Sequence, residues 1–139
     1  HSRVTSTVIE GISNFSFNSL TCCGHPSMCS KYLDPALGRY EPDLDLAVQD
    51  ADVIITLRIQ HERFEEELNL DLDDYKHAYE LTSERVQQAR GDVIVMHPGP
   101  VNYIEISESV YQSDNSVIRN QVANGVAIRM AVLARYLSS

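Results

Sequence analysis

The residues best suited to chemistry include an arginine and a glutamine that follow a run of apolar residues. Arg58 and Gln60 come directly after residues 53–57, which are mostly branched and apolar and are typical of a buried strand. In an open parallel sheet, ligands bind beyond the carboxyl ends of the strands, and the planar guanidinium group of arginine matches a carboxylate. A surface arginine is the competing interpretation, and the local sequence leaves the two evenly balanced.

A rigid turn, His97-Pro98-Gly99-Pro100, follows a second apolar run at residues 93–96. Two prolines remove two amide donors and fix two φ angles, so the carbonyls of Pro98 and Gly99 are rigid acceptors. Because cis peptide bonds occur before proline, we expect a cis Gly99-Pro100 bond. A tight connector is the alternative interpretation. His97 alone indicates a packed, hydrogen-bonded histidine rather than a catalytic one.

A third candidate is Arg3, which lies at the start of a predicted helix behind His1 and Ser2. A helix N-terminus attracts anions, and Arg3 adds positive charge there, although an ordinary capped helix start is the alternative. Solvated or structural roles are the better interpretation for three other arginines: Arg63, Arg119 and Arg129.

Three cysteines and a histidine lie close together, but their spacing does not indicate a metal site. Cys22, Cys23, His25 and Cys29 match no regular zinc pattern, and adjacent cysteines on a strand point to opposite faces. We interpret the cysteines as buried small hydrophobic residues of a protein from a reducing compartment. We therefore expect no bound metal.

Composition narrows the class of protein. The chain has 139 residues, 43% of them hydrophobic, and a net charge of -9, which argues against a nucleic-acid partner. No apolar run is long enough for a membrane helix, and the N-terminus lacks the features of a signal peptide. Because His1 is not a natural start, we expect a segment of a longer, cytoplasmic polypeptide.

The elements that must position these residues alternate between helix and strand, which predicts an α/β fold with a parallel sheet. Helices are expected at residues 3–12, 28–33, 44–49, 72–79, 83–89, 107–111 and 117–137, and strands at 16–23, 52–57 and 92–96, with residues 40–42 a connector or short strand and 61–70 a loop with helical turns. Asp43 and Thr82 stand where helix N-caps are expected. We predict one three-layer, Rossmann-like domain over residues 1–139, with a mostly parallel sheet flanked by helices.

The order and spacing of several segments carry a resemblance to a known family. The segments are HSRV, DLDLAVQDADVIITLRIQHERF, DVIVMHPGP, EIS and NQVANGVAIRMAVL. In this order they closely resemble the second, aspartate-binding domain of bacterial aspartate carbamoyltransferases. The turn after the HPGP motif is one residue shorter than usual in that family and lacks its arginine.

The resemblance implies transfer of a carbamoyl group from carbamoyl phosphate to L-aspartate in de novo pyrimidine synthesis, without a metal or organic cofactor. It implies that Arg3, Arg58 and Gln60 hold aspartate. It also implies that Pro98, Gly99 and Pro100 contact carbamoyl phosphate. The family works as a homotrimer, in some cases with regulatory chains, and its carbamoyl phosphate domain precedes this region, so we expect the isolated segment to be inactive.

Two alternatives to this function stay open at the level of sequence. One is a carbamoyltransferase with another amino-acid acceptor, such as ornithine. The other is a non-catalytic homologue kept for assembly or regulation. No residue is assigned as a proton-transferring or nucleophilic catalyst.

Overall fold

The fold is known from a computed structural model, which describes residues 3–29, 34–59 and 71–138, except for the side chains of residues 3, 28 and 29. The helices are α1 (Arg3–Ile12), α2 (Pro26–Cys29), α3 (Leu44–Ala47), α4 (Leu72–Tyr79), α5 (Ser83–Val86), α6 (Glu108–Tyr111) and α7 (Ile118–Leu137), and the strands are β1 (Thr21–Cys23), β2 (Arg39–Glu41), β3 (Val53–Ile55) and β4 (Ile94–Met96).

Local capping chemistry explains where the short helices begin. The Asp43 carboxylate accepts the backbone N–H groups of Asp45 and Leu46 at the start of α3. The Thr82 hydroxyl accepts the N–H of Arg85 at the start of α5. Each cap satisfies amide donors that a helix N-terminus leaves without an intrahelical partner. Both positions agree with the N-caps expected from the sequence.

The strands form parallel pairs, as the alternating pattern predicts. Strand β1 pairs with β2, and β3 pairs with β4 in the register Val53↔Ile94, Ile54↔Val95 and Ile55↔Met96. An isolated parallel bridge joins Val95 to Ser116, which brings the start of α7 beside β4. Because the pairs are parallel, the segments that follow β3 and β4 leave the sheet at the same edge.

The main core packs around β4 and fixes the position of its carboxyl end. Its buried side chains are Val48, Leu81, Val86, Val93, Val95, Ile106, Val110 and Ile118. Val95 and Ile106 are 0% exposed, and burying each such side chain stabilises the fold by about 1.5–3 kcal/mol. A smaller cluster of Ile59, Tyr75 and Ile104 packs beneath the segment that follows β3.

Helix α7 has the predicted bounds to within one residue, but most of its apolar side is exposed. Ile118 is 2% exposed, whereas Val122, Val126 and Met130 are 56%, 48% and 66% exposed. The described part of the chain therefore covers only the first turn of this helix. No helix in that same part of the chain combines the length and apolar character needed to cross a membrane.

Some predicted elements are longer than the observed ones. The strand expected at residues 16–23 is confined to β1, because only Thr21–Cys23 pairs with β2, and Phe17 lies 40% exposed outside the pairing. The helix expected at 83–89 ends at Val86. The strand β3 is not covered on both faces, since Val53 is 48% exposed. The expectations for residues 30–33 and 61–70 lie outside the described residues.

Candidate active site at the carboxyl edge of β3 and β4

The site is built on the edge where β3 and β4 both end. The parallel ladder continues one step past the strands, because the Thr56 N–H donates to the Met96 carbonyl at 3.0 Å. Arg58 lies three residues after Ile55, and Gly99 lies three residues after Met96. The arginine and the proline-rich turn therefore emerge as neighbours at one edge of the sheet.

Arg58 presents its guanidinium group to solvent at this edge. Its side chain is exposed, whereas the next residue, Ile59, is 9% exposed and belongs to the smaller core cluster. Within residues 3–29, 34–59 and 71–138, no hydrogen bond or ion pair holds the Arg58 side chain. A fixed backbone thus carries a cation whose five N–H donors are available to an anionic ligand.

The turn at Pro98-Gly99-Pro100 has the geometry that its sequence predicts. The Gly99-Pro100 peptide bond is cis. Gly99 has a φ of 71°, which residues other than glycine rarely adopt. Pro98 and Pro100 are exposed and lack amide hydrogens. Gly99 therefore carries the turn's only N–H, and that group donates to Nδ1 of His97 at 2.7 Å.

His97 is fully buried behind the turn and uses both ring nitrogens. Because Nδ1 accepts from Gly99, Nε2 must carry the proton, and it donates to Oε1 of Glu105 at 2.8 Å. The His97 N–H donates to Oε1 of Gln121 in α7 at 3.0 Å. Hydrogen bonds therefore hold both ring nitrogens and the backbone N–H of His97. The packed, hydrogen-bonded interpretation of His97 is confirmed.

Glu105 and Asn102 extend this network to the segment that carries Arg58. Glu105 is 4% exposed, and its Oε1 also accepts the Asn102 N–H at 3.4 Å. The Asn102 side chain donates to the Ile59 carbonyl at 3.1 Å and accepts the Ile104 N–H at 3.2 Å. A side-chain hydrogen bond therefore joins the loop after β4 directly to the residue that follows Arg58.

The second carboxylate oxygen of Glu105, Oε2, is buried and has no hydrogen-bond partner among the residues that the structure describes. Burying a carboxylate lowers the stability of the fold unless the group is well hydrogen-bonded. The presence of Glu105 here therefore needs a reason other than stability. Glu105 and Asn102 are not among the site residues that the sequence predicts. The one sequence feature that indicates Glu105 is its position between Ile104 and Ile106, where an apolar residue would be expected in a core.

The predicted site residues fall into two groups. Arg58 and the Pro98-Gly99-Pro100 turn follow two paired parallel strands at the same edge, and a hydrogen bond from Asn102 to Ile59 joins the two segments. Gln60 lies outside the described residues, and so does the side chain of Arg3, although Arg3 begins α1 as expected. The expected convergence of Arg3 with Arg58 stays a prediction.

Other arginines have structural or surface roles. Arg85 donates from Nε to Asp45 at 3.0 Å and from a terminal nitrogen to the Glu80 carbonyl at 2.7 Å. The hydrogen bonding of Arg85 to Asp45 holds the pKa of the Asp45 carboxyl below its ordinary value. Arg90 is exposed and pairs with Asp52 at 3.2 Å, at the amino end of β3 and opposite the site. Arg119 stacks over the Tyr111 ring, which agrees with the expected surface role.

The cysteine region shows no ligand geometry in the part of the chain that is described. No group of three or more histidine, cysteine or acidic side chains there could hold a metal ion. Cys22 is half-buried, and burial raises the pKa of its thiol. The Cys29 side chain lies outside the described residues. Cys22 is thus less buried than expected, but it behaves as a small packed residue with a less acidic thiol.

The described residues form parallel strands with helices packed against them, and Arg58, which has no partner among those residues, lies beside a rigid acceptor turn at their carboxyl edge. These features define a Rossmann-like α/β domain with an edge suited to an anionic ligand. The family model for the aspartate/ornithine carbamoyltransferase Asp/Orn binding domain matches residues 1–136. The chain belongs to this family.

Similar proteins and structures agree with that assignment. The chain is 42% identical over 133 residues to the aspartate carbamoyltransferase catalytic subunit of Desulforapulum autotrophicum, covering 95% of this chain and 42% of the relative. It resembles the aspartate transcarbamoylase structure from Trypanosoma cruzi in complex with carbamoyl phosphate, with a TM-score of 0.59 and 33% identity over 68% of this chain and 29% of the other. For ornithine carbamoyltransferase from Pyrococcus furiosus the TM-score is 0.58 and the identity 31%, over 70% and 32% of the two chains. The chain thus spans less than half the length of the curated relative.

Proposed function

We propose that this chain is the aspartate-binding half of an aspartate carbamoyltransferase, which transfers a carbamoyl group from carbamoyl phosphate to L-aspartate. The products are N-carbamoyl-L-aspartate and phosphate, in de novo pyrimidine synthesis. The curated relative named above, an aspartate carbamoyltransferase catalytic subunit, and the aspartate transcarbamoylase structure with carbamoyl phosphate support this reaction. Residues 1–139 act as a single domain of the enzyme.

The observation that carries the proposal is the exposed Arg58 at the carboxyl edge of β3. Its guanidinium group has no partner in the described part of the chain, and its backbone is held to the turn after β4 through Asn102 and Ile59. A carboxylate of aspartate accepts two parallel hydrogen bonds from such a group. Arg3 and Gln60 complete the aspartate site.

The rigid turn supplies acceptors for the other substrate. Carbonyls of Pro98, Gly99 and Pro100 accept from the amide end of carbamoyl phosphate and orient the attacking amine of aspartate. Catalysis of this kind consists mainly of positioning and charge stabilisation, and it needs no metal or organic cofactor. The carbamoyl phosphate domain lies outside these 139 residues, so this domain does not turn over alone. We place the enzyme in the cytoplasm as a homotrimer built from full-length chains.

The charge of the acceptor's side chain distinguishes aspartate from ornithine. The side chain of ornithine ends in an ammonium group, which Arg58 would repel, whereas the second carboxylate of aspartate would be attracted. The net charge of -9 provides no broad positive field, so a local arginine must select the dianion. This charge argument favours aspartate over an acceptor that carries a second amine.

The test is an acceptor comparison with the full-length protein. Carbamoyl transfer from carbamoyl phosphate is measured with L-aspartate and L-ornithine, and succinate is added as a dicarboxylate that lacks the nucleophilic amine. We expect carbamoyl aspartate to form, succinate to inhibit competitively, and a metal chelator to leave the rate unchanged. Product from ornithine and none from aspartate would replace the assignment with the ornithine reaction. Absence of any product would support the non-catalytic alternative.

A further inference from the structure

The only amide hydrogen in the proline-rich turn points away from the ligand side and into the protein. Gly99 N–H donates to His97 Nδ1 at 2.7 Å, and the imidazole is 0% exposed. Besides the fixed proline rings, the His97 side chain therefore holds the orientation of the turn. Rotating the turn about its ends would break this hydrogen bond and leave a buried acceptor without a donor, which is unfavourable.

The imidazole is itself held by a carboxylate that connects to the Arg58 segment. His97 Nε2 donates to Glu105 Oε1 at 2.8 Å, and the same oxygen accepts the Asn102 N–H at 3.4 Å. Asn102 then donates to the Ile59 carbonyl at 3.1 Å. These hydrogen bonds, joined through the covalent frame of Asn102, connect Gly99 in the turn to the residue beside Arg58. We call these three side chains the His97–Glu105–Asn102 network.

We propose that the His97–Glu105–Asn102 network sets the distance between Arg58 and the turn carbonyls, and that its members are positioning residues for carbamoyl transfer. The inference rests on the proposed function. Arg58 holds one end of aspartate, while the turn orients the attacking amine and the carbamoyl group. The spacing between them therefore determines how closely the amine approaches the carbamoyl carbon. A misplacement of about 1 Å costs reactions of this kind roughly 100-fold in rate.

The arrangement of the buried carboxylate favours positioning over plain stability. Glu105 Oε2 has no partner among the described residues, and a wholly apolar set of side chains in place of the network would cost less to bury. The presence of this carboxylate is explained if it fixes the positions of His97 and Asn102. Buried hydrogen-bond networks rigidify the groups that they join and specify one arrangement of them.

Two substitutions at position 97 separate the two hydrogen bonds of the ring. In His97→Asn the side-chain oxygen lies near the place of Nδ1 and can accept from Gly99, but the amide cannot reach Glu105. In His97→Gln the amide nitrogen lies near the place of Nε2 and can donate to Glu105, but the Gly99 N–H loses its acceptor. If the turn is positioned through Gly99, we expect His97→Gln to lower kcat roughly 100-fold and His97→Asn to lower it less than about 10-fold.

Asn102→Ala tests the other end of the network. Loss of the hydrogen bond to the Ile59 carbonyl frees the segment that carries Arg58, so we expect the KM for aspartate to rise about 10-fold while the KM for carbamoyl phosphate stays unchanged. Val110→Ala is the control, because Val110 is 1% exposed in the main core and its side chain takes no part in the hydrogen bonds of the network. It should lower Tm and leave kcat unchanged.

Kinetics and Tm of the full-length protein decide between the outcomes. A purely structural role predicts that activity falls with Tm alike in His97→Asn, His97→Gln and Val110→Ala, and that pattern would overturn the network. Wild-type kinetics in both His97→Gln and Asn102→Ala would also overturn it while leaving the proposed function intact. Wild-type protein that makes no carbamoyl aspartate refutes the proposed function, and the positioning role with it.

Discussion

Removing the guanidinium group of Arg58 is the sharpest test of the site. The Arg58 side chain is exposed and has no hydrogen bond or ion pair with the described residues, so Arg58→Ala should change the free energy of unfolding by no more than about 0.5 kcal/mol. Its effect on aspartate should be much larger, because two hydrogen bonds to a carboxylate contribute about 1.5–3 kcal/mol each. A total of about 3–6 kcal/mol corresponds to a loss of roughly 10²- to 10⁴-fold in kcat/KM.

The chain offers a matched control for this substitution. Arg90 is also an exposed arginine on the β3–β4 pair, but it lies at the opposite edge, where its Nε is 3.2 Å from Asp52 and 3.8 Å from Asp92. Arg90→Ala makes the same change in net charge and removes only exposed ion pairs, which are worth at most about 1 kcal/mol. It should leave kcat/KM for aspartate within about threefold of wild type, so any larger loss there would indicate a nonspecific charge effect.

The assay combines steady-state kinetics with urea unfolding of the full-length protein. Arg58→Lys belongs in the series, because lysine keeps the charge but cannot form the planar pair of hydrogen bonds, and we expect an intermediate loss. Equal kcat/KM for Arg58→Ala and wild type would refute the assignment of Arg58 to aspartate. So would equal losses in Arg58→Ala and Arg90→Ala, or an Arg58→Ala protein whose lost activity is explained by unfolding.

Two further predictions concern stability. Asp45→Asn removes the ion pair with Arg85. The Arg85 side chain is 15% exposed and the Asp45 side chain 49%, so solvent screens the pair. We therefore expect the free energy of unfolding to fall by about 0.5–1 kcal/mol at neutral pH. Because folding lowers the pKa of Asp45 from 3.8, this stabilisation is fully present above pH 3.8 and disappears as pH falls through the folded pKa, so urea unfolding should show wild type and variant converging in acid. Convergence at neutral pH instead would contradict the pairing. Gly99→Ala places a side chain at a φ of 71° where no atom lies within 4 Å of the new Cβ, so strain alone should cost about 1–2 kcal/mol of unfolding free energy. An unchanged midpoint in urea would argue against the left-handed conformation.

Local patterns were sufficient to predict the edge that carries the site. A compact apolar run followed by Arg58, and a second one followed by Pro98-Gly99-Pro100, predict two buried strands whose carboxyl ends carry polar or rigid residues. The parallel pairing then follows from the alternation of helices and strands, and it places both segments at one edge. The cis bond before Pro100 was likewise predicted from the dipeptide alone.

Contacts between distant residues could not be predicted in this way. The hydrogen bond from Asn102 to the Ile59 carbonyl joins residues 43 positions apart, and no periodicity encodes it. The exposure of Val122 and Met130 on α7 was equally hidden, because an apolar stripe predicts a helix but does not identify what covers it. The overlong strand at residues 16–23 shows the reverse error, since Phe17 has strand propensity but no pairing partner in β2.

The placement of Glu105 explains how an acidic domain can offer an edge for an anion. A carboxylate beside Arg58 and the turn would repel aspartate if it faced the ligand, yet Glu105 is 4% exposed and its Oε1 is occupied by His97 and the Asn102 N–H. Side-chain substitution cannot remove the backbone carbonyls of the turn, but it can change what holds the turn, and the Gly99 N–H is held by His97. Glu105 therefore lies behind the turn, buried against His97 and Asn102, while the Arg58 side chain is exposed and has no partner among the described residues.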